Sequence, residues 1–583
     1  MSKDRKSTHI LTVALEDYFH GGTFNNVVQW KQWYRFEKRF EKNTLKTLDL
    51  LDRFGIKATF FVLGWVADED PGIIKEVVRR GHEIASRGYY HRRIRGMTPV
   101  EFREDLSRSK DALEAAGGKE ILGYRAAHRW YNRTDLWALD ILAEEGYAYD
   151  SSIFPFGRSF HDEPWRRFAH QHVYEGKKIW EFPFSTYSLF GFLLPIAGGN
   201  YFRQLPEPIL RRMVAQWDRK CDAPFVMYFN VWELDPDQPR INAVSTFSKI
   251  RQYRKLDHME AILEEYLHEY RFTGIADYLG LKGEPLAKTL QDAQIFDPSC
   301  SKINYKKGQG VVLGARRDIQ SGEGTPKVTV VVPCFNEDLV IPYLANTMQS
   351  VRESLREYYD LRFIFMDDGS TDKTLKSLRA TFGDIDNHTI LQNPRNIGVA
   401  ATMLRGIRHS DTEIICSIDC DCSYDPHELI NMIPMLVDGV DLVTASPYHP
   451  EGKVLNVPGW RLALSKISSF LYRRVLRQKL YTYTSCFRVY RRSAVADLRL
   501  RYGGFLGVAE LIGQMDLRGG KIIEYPTTLA VRMLGRSKMK VLRTILGHLR
   551  LMGRLLWMRL VHTVPEKYAV PAEQTQKVET GSH

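Results

Sequence analysis

Three short runs of β-branched and apolar residues, 328–332, 362–366 and 413–418, each stop abruptly in polar or acidic residues. Segments with helical spacing lie between them, the pattern of β/α units in a parallel sheet. Such sheets bind ligands beyond the carboxyl ends of their strands. Asn336, Glu337, Asp367, Asp368, Asp419 and Asp421 fall there. The amino-terminal part alternates in the same way. Strands are expected at 9–15, 58–63, 82–85, 147–149 and 225–229, and helical apolar spacing occupies 43–54, 71–80 and 99–115. Polar residues cluster just after these strands, as on the active-site face of a (β/α) barrel.

Between the two patterns, residues 283–325 lose periodicity and gain Gly283, Pro285, Pro298, KKGQG and SGEGTP. That composition predicts an interdomain connection, with a short strand at 311–313. At the other end, no acidic residue occurs from Gly535 to Val564. On a helical wheel Lys540, Arg543, Gly547, Arg550 and Arg554 share one face, and Leu542, Ile545, Leu546, Leu549, Met552 and Leu556 the opposite one. A basic amphipathic helix reads as an interfacial membrane element, the alternative being a helix docked on its own protein. Residues 566–583 read as a polar tail. The expected division is a barrel at 1–285, a linker at 286–325, a second α/β domain at 326–540, and the basic helix with its tail at 541–583.

Composition narrows the functional classes. At 583 residues, 44% apolar and 26% charged, the chain has the make-up of a globular protein of two or three domains. No run of about 18 uncharged apolar residues occurs, so no transmembrane helix is expected. The first residues read as a strand rather than a signal peptide. Seven cysteines in so long a chain do not suggest a disulfide framework, and a cytosolic location is expected. Cys416, Cys420 and Cys422 straddle one strand end and read as reduced thiols rather than zinc ligands. The net charge of +12 invites anionic partners. No zinc-finger, helix-turn-helix or RNA-recognition signature is present, so nucleotide diphosphates and anionic lipid head groups are expected rather than nucleic acid.

The chemistry is concentrated in Asp419-Cys420-Asp421, which turns two carboxylates toward one point just after a strand. Hard oxygen ligands suit Mg²⁺ or Mn²⁺, which bridge substrate phosphates. The segments VTVVVPCFNE, RFIFMDDGSTDKT, NPRNIGVAATMLRGI and EIICSIDCDCSYDP, in this order, resemble the nucleotide-binding half of a family 2 glycosyltransferase with a GT-A, Rossmann-like fold. The resemblance implies that Pro333, Asn336, Glu337, Asp367 and Asp368 hold the nucleotide and that the metal at Asp419 and Asp421 holds its diphosphate. UDP is preferred over GDP on family frequency. S-x-Y-x-P-x-G at 446–452, T-S-x-F-R-x-Y-R at 484–491, Glu510, and R-x-x-G-x-S-K at 532–538 are similar to the polyprenol-phosphate mannosyl- and glucosyltransferase branch. A lipid phosphate is then the implied acceptor. A phosphate is already ionised and requires no base. It requires cations, for which Arg488, Arg532, Arg536 and Lys538 are candidates. Glu510 is the candidate base if the acceptor is instead a saccharide hydroxyl.

The amino-terminal wording, including LEDYFH, KATFFVLG, GHEIASRGYYHRRI, GYRAAHRW and FVMYFNVWELDP, resembles the NodB-homology polysaccharide deacetylases over nearly all of residues 8–280. A distorted (β/α)7 barrel and metal-assisted deacylation of a sugar are what that resemblance implies. Glu16 falls at the family's base and Asp17 at its metal aspartate. Arg87 stands where the first metal histidine belongs, and His91 at the second. Arg125 is followed by Ala127 in place of proline, and Asn230 replaces the histidine acid. Arginine carries donors and a fixed charge and cannot ligate a cation. Asparagine cannot act as an acid near neutral pH. The expectation is a barrel without a metal, used for binding or scaffolding, with Arg87 paired to Asp17. A bifunctional transferase and deacetylase is the alternative, in which His20, His82 or His128 would have to rebuild a metal site. The whole reads as a metal-dependent glycosyltransferase, peripheral on the inner face of the cytoplasmic membrane.

Overall fold

The computed structural model describes residues 7–127, 131, 133–157, 160, 163–189, 191–281, 325–456, 459–535 and 541–561. The expected linker up to residue 324, the positions Arg536 and Lys538, His128, and the tail at 566–583 lie outside them. The chain divides into an amino-terminal and a carboxyl-terminal compact unit.

In the first unit the apolar runs become β1 (Thr8–Leu15), β2 (Thr59–Val62), β3 (Glu83–Ser86), β4 (Gly123–Tyr124), β5 (Tyr149–Asp150), β6 (His170–Tyr174) and β7 (Lys177–Glu181). A hairpin of β8 (Thr186–Leu189) and β9 (Phe192–Pro195) follows, then β10 (Val226–Asn230) and β11 (Arg271–Thr273). The large sheet has the order β10-β1-β2-β3-β4-β5-β7-β6, with β11 on β1. All its pairings are parallel except β6 with β7. β1 is buried along almost its whole length, as a parallel strand covered on both faces must be. Among the described residues no full ladder crosses the seam between β7 and β10. The seam is spanned by the Ser185 hydroxyl, which accepts from the Val226 amide at 2.8 Å, and by a single parallel bridge from Gly198 to Tyr228. The barrel is therefore distorted, as the resemblance implied.

The second unit contains β12 (Lys327–Cys334), β13 (Asp360–Asp367), β14 (His388–Gln392), β15 (Ile414–Ser417), β16 (Leu442–Ser446), β17 (Lys453–Leu455), β18 (Arg488–Arg491), β19 (Ile522–Pro526) and β20 (Thr528–Ala530). Its seven-stranded sheet runs β14-β13-β12-β15-β18-β16-β19. β18 is antiparallel to both neighbours, whereas the other pairings are parallel. The strand order reverses beside β12, where successive connections leave to opposite sides, so a crevice opens at the carboxyl ends of β12, β13 and β15. Helices of this unit include α1 (Val399–His409), α2 (Phe505–Leu517) and α3 (Val541–Val561). Leu511, Ile512, Met515, Leu551 and Leu555 join Val331, Ile415 and Tyr490 in one core cluster.

Candidate active site

The crevice is a cleft of about 290 Å³ lined by Pro333, Glu337, Asp368, Gly398, Asp419 and Asp421, with Cys334, Cys420, Cys486 and Arg532. Asp419 lies just past β15 and Asp421 two residues on, its Oδ1 accepting from the Ser423 amide at 3.0 Å and hydroxyl at 2.7 Å. Burial, and then the neighbouring Asp421 charge, push the Asp419 carboxyl up to about 7. Arg532 bridges the opposite wall. Its guanidinium pairs with Glu337 and, at 3.3 Å, with Asp421. Burial disfavours the Arg532 charge, but Asp421 and Glu337 outweigh it and raise its pKa.

Other expected nucleotide residues work on the loops. Asn336 adopts a left-handed φ of 53°, and its Oδ1 accepts from the Thr371 amide at 2.7 Å. The Asn336 amide donates to Ser370 Oγ at 2.9 Å. These bonds join the ends of β12 and β13. Asp368 accepts from the side chain of Asn393 at 2.8 Å and from the amides of Ile397 and Gly398, each at 2.9 Å. Its carboxylate thus holds the N-P-R-N-I-G turn in place. Gly398 has φ +91°, and a Cβ there would lie 2.6 Å from the Gly503 carbonyl carbon. That close approach explains the glycine. Asp367 is fully buried at the end of β13, 3.4 Å from the Ser370 amide.

Two candidates prove to be internal. Arg488 has no exposed surface, and it donates to the carbonyls of Val508 at 3.1 Å and Tyr483 at 3.0 Å. It lies on β18, hydrogen-bonded to the strand that carries Asp419, and so supports the floor of the cleft rather than presenting a phosphate site. Glu510, on α2, accepts from the amides of Arg501 and Tyr502, each at 2.9 Å, and from Gln514 at 3.2 Å, and pairs with Arg554 at 3.3 Å. A carboxylate so occupied, 1% exposed and absent from the cleft wall, clamps the loop at Arg501 and Tyr502. The cysteines at the cleft are thiols, with Cys334 Sγ donating to Cys420 Sγ at 3.5 Å.

In the barrel, Arg87 pairs with Glu16 at 3.0 Å, not with Asp17 as expected. The reason is that Asp17 is already engaged. Its carboxylate accepts from the amides of Tyr18, Arg39 and Phe40 at 2.8, 2.6 and 3.0 Å, the last two opening the helix Phe40–Arg53. His91 Nε2 lies 3.1 Å from the same Glu16 oxygen as Arg87. Burial alone would raise the Glu16 carboxyl, yet Arg87 and His91 hold it well below the usual carboxylate range. Arg125 is fully buried over the Phe61 and Phe184 rings and donates to Ser151 and Thr12. Burial, then Arg87, pushes it down to about 9. Asn230 donates to Glu233 at 2.9 Å, and Glu233 pairs with Arg203 at 2.8 Å. His20 packs against Trp33 and Trp65, and His82 Nδ1 accepts from the Ala58 amide at 3.2 Å. Among the described residues no group of three or more histidines, cysteines or carboxylates could hold a metal.

Sequence reasoning gave no role to Asn393, Arg203, Glu233 or Gln252. The first lies inside a quoted motif and could have been found there; the buried Arg203–Glu233 pair left no local signal.

Comparison with known families matches residues 29–149 to the polysaccharide deacetylase model, 151–280 to a domain of unknown function, and 329–499 to glycosyl transferase family 2. The chain therefore carries a polysaccharide-deacetylase-type domain followed by a family 2 glycosyltransferase domain. A polyprenol monophosphomannose synthase of Mycolicibacterium smegmatis is 27% identical over 39% of this chain and 86% of that protein. An undecaprenyl-phosphate 4-deoxy-4-formamido-L-arabinose transferase of Salmonella choleraesuis is 27% identical over 38% of the chain, which spans 64% of that relative. Among solved structures, a putative polysaccharide deacetylase from Mycobacterium smegmatis matches with TM-score 0.34 at 19% identity, over 51% of this chain and 97% of that one. A glucosyl-3-phosphoglycerate synthase from Mycobacterium tuberculosis, solved with Mn²⁺ and UDP, matches with TM-score 0.29 at 19% identity, over 41% and 80%.

Proposed function

We propose that this protein transfers a sugar from a nucleotide-sugar to a polyprenyl phosphate at a membrane surface, with the barrel as a non-hydrolytic binding module. The observation that carries the acceptor assignment is the outer side of α3, where Leu546, Leu549, Trp557 and Leu560 are between 51% and 73% exposed beside Arg550 and Arg554. A basic helix that leaves such side chains in solvent suits the head-group boundary of a bilayer. The acceptors named in the two curated relatives agree with it. Among the described residues no helix is long and apolar enough to cross a membrane. The reading is therefore of a peripheral enzyme, placed on the inner face because nucleotide-sugars are cytosolic.

The donor set at Asp419 and Asp421 is two carboxylates crowded on one wall, which fits a divalent cation. Mg²⁺ or Mn²⁺ held there would neutralise the diphosphate leaving group. The chain's own contribution is positional. Pro333 and Asp368 line the donor cleft with the amino-terminal end of α1, a favourable place for phosphate oxygens. Arg532 supplies a fixed cation on the facing wall, now paired to Glu337 and Asp421, and is the described residue best placed for a phosphate acceptor. Arg536 and Lys538, close to it in sequence, complete the proposed set. UDP is the proposed base carrier ahead of GDP. The clamp role of Glu510 favours an acceptor that needs no base over a saccharide hydroxyl. Arg87 on Glu16 favours a barrel that does not hydrolyse.

The test is nucleotide release from UDP- and GDP-sugars by the whole protein with Mn²⁺, with and without a short polyprenyl phosphate in detergent. Release that depends on the lipid phosphate is expected. Release indifferent to the lipid but stimulated by an oligosaccharide would overturn the acceptor.

A further inference from the structure

Beside Glu16 and Arg87 in the barrel lies a second cavity, larger than the cleft, of about 520 Å³, a size in the range of small-molecule sites. Its lining is mixed in a specific way. Phe154, Phe156, Tyr201 and Trp232 form aromatic wall, and the Phe154 ring is near parallel to those of Phe156 and Tyr201, at 15° and 29° with centroids 6.3 and 6.0 Å apart. Four arginines, 87, 95, 203 and 251, line the same cavity against two carboxylates, Glu16 and Glu233. Arg95 is matched by Asp135 and Arg203 by Glu233, while Glu16 answers Arg87. Arg251 has only the Thr23 hydroxyl, at 3.3 Å, and no carboxylate among the described residues.

Unused polar groups point to a ligand. Arg87 is 6% exposed and spends Nε on Glu16 and Nη2 on the Ala127 carbonyl at 3.2 Å. Its Nη1 has no partner among the described residues. Gln252 is 3% exposed, lines the cavity, and its Nε2 is buried with no acceptor among the described residues. A buried donor left unpaired is costly, and Gln252 Nε2 together with the spare Arg87 Nη1 suits a ligand that accepts hydrogen bonds.

We propose that this cavity binds a saccharide bearing an anionic group, with the sugar against the Phe154–Tyr201 wall and the anion received by Arg87 Nη1, Arg251 and Gln252 Nε2. Arg87 supplies a permanent guanidinium donor there. The anion is a carboxylate or a phosphate, since both accept from arginine in the same geometry. This rests on the reading of the barrel as a non-hydrolytic module, and it adds the ligand class that such a module selects.

The whole protein is titrated, following intrinsic tryptophan fluorescence and the heat of binding, with a glucuronyl-glucose disaccharide, glucose 1-phosphate, a neutral glucose disaccharide and inorganic phosphate. The Arg532→Ala variant is used throughout, to remove the cation of the donor cleft as a competing anion site. Saturable binding of one or both anionic sugars is expected, with the neutral disaccharide weaker by about tenfold or more. Arg251→Ala and Gln252→Met, whose melting temperatures are checked against the parent, should each weaken the anionic sugar by about tenfold. Equal affinity for the neutral disaccharide, binding of inorganic phosphate as tight as that of the sugars, or indifference to both substitutions would overturn the proposal. Absence of saturable binding by either anionic sugar would do the same. Release of acetate from an N-acetylated oligosaccharide by the protein supplied with Zn²⁺ would instead remove the non-hydrolytic reading on which the proposal rests.

Discussion

At the scale of single residues, position in the fold separates carboxylates that look alike in sequence. Asp421 stands at the cleft, whereas Glu510 is inside and saturated with donors. Asp421→Ala is expected to lower nucleotide release by about 100-fold or more, the scale of losing one preorganised electrostatic group. Asp411→Ala, at an exposed ion pair with Arg362 before β15, should leave it unchanged. Comparable losses in both variants would remove Asp421 from the chemistry. Glu510→Ala exposes the other side of the argument. It strands two amides and a half-buried Arg554, so a destabilisation of about 1–3 kcal/mol is expected. Thermal melting reads this directly. A variant that melts like the parent but has lost transfer would restore Glu510 as a base.

At the scale of elements, α3 docks on its own protein along one side and leaves apolar side chains exposed along another. His548, Leu551, Met552 and Leu555 are buried, a spacing of three, four and seven that faces the core. Met552 was expected on the same face as Leu546, Leu549 and Leu556, but it turns inward while those three remain exposed. The apolar arc is simply too wide for one contact. Gly513 of α2 lets the helices close, since a Cβ there would come within 2.7 Å of Leu555 Cδ1. Leu555→Ala should therefore cost about 2–5 kcal/mol in unfolding free energy. Trp557→Glu combined with Leu560→Glu should leave the melting temperature nearly unchanged and reduce co-sedimentation with anionic vesicles. Vesicle binding that survives this change would detach the membrane role from α3.

At the scale of the whole molecule, buried titratable groups set how the barrel responds to acid. His170, 3% exposed on β6, donates from Nδ1 to the Phe168 carbonyl at 2.8 Å and has no partner at Nε2 among the described residues. Burial, with the nearby charges of Arg166 and His172, pushes its pKa down to about 3. An unfolded histidine titrates near 6.5, so between these two values the unfolded chain binds the extra proton. Stability is full above pH 6.5 and falls as pH drops toward 3, by up to about 4 kcal/mol from this group. Urea unfolding of the parent and of His170→Gln at pH 7.5 and 4.5 measures the difference. The parent should lose more stability between the two pH values than the variant, and equal losses would refute the assignment.

The strands at 9–15, 58–63 and 328–332 and the D-x-D just past β15 were legible in the chain because each is a local pattern of periodicity and spacing, and the two family resemblances because their motifs are short contiguous wording. That arginine cannot ligate a cation follows from its fixed charge, whereas the metal position at Arg87 is only what the resemblance implies. What Arg87 binds was not legible, because it depends on Asp17 being taken by the first turn of a helix some twenty residues away in sequence. The same holds for Arg488 and Glu510. Their residue types suit phosphate binding and base catalysis, but both are buried, with Arg488 donating to the Val508 and Tyr483 carbonyls and Glu510 accepting from the Arg501 and Tyr502 amides. Local order along the chain determined which residues could do chemistry. Only tertiary packing decided which of them keep a free donor or acceptor facing a cavity, because that depends on partners brought from elsewhere in the sequence.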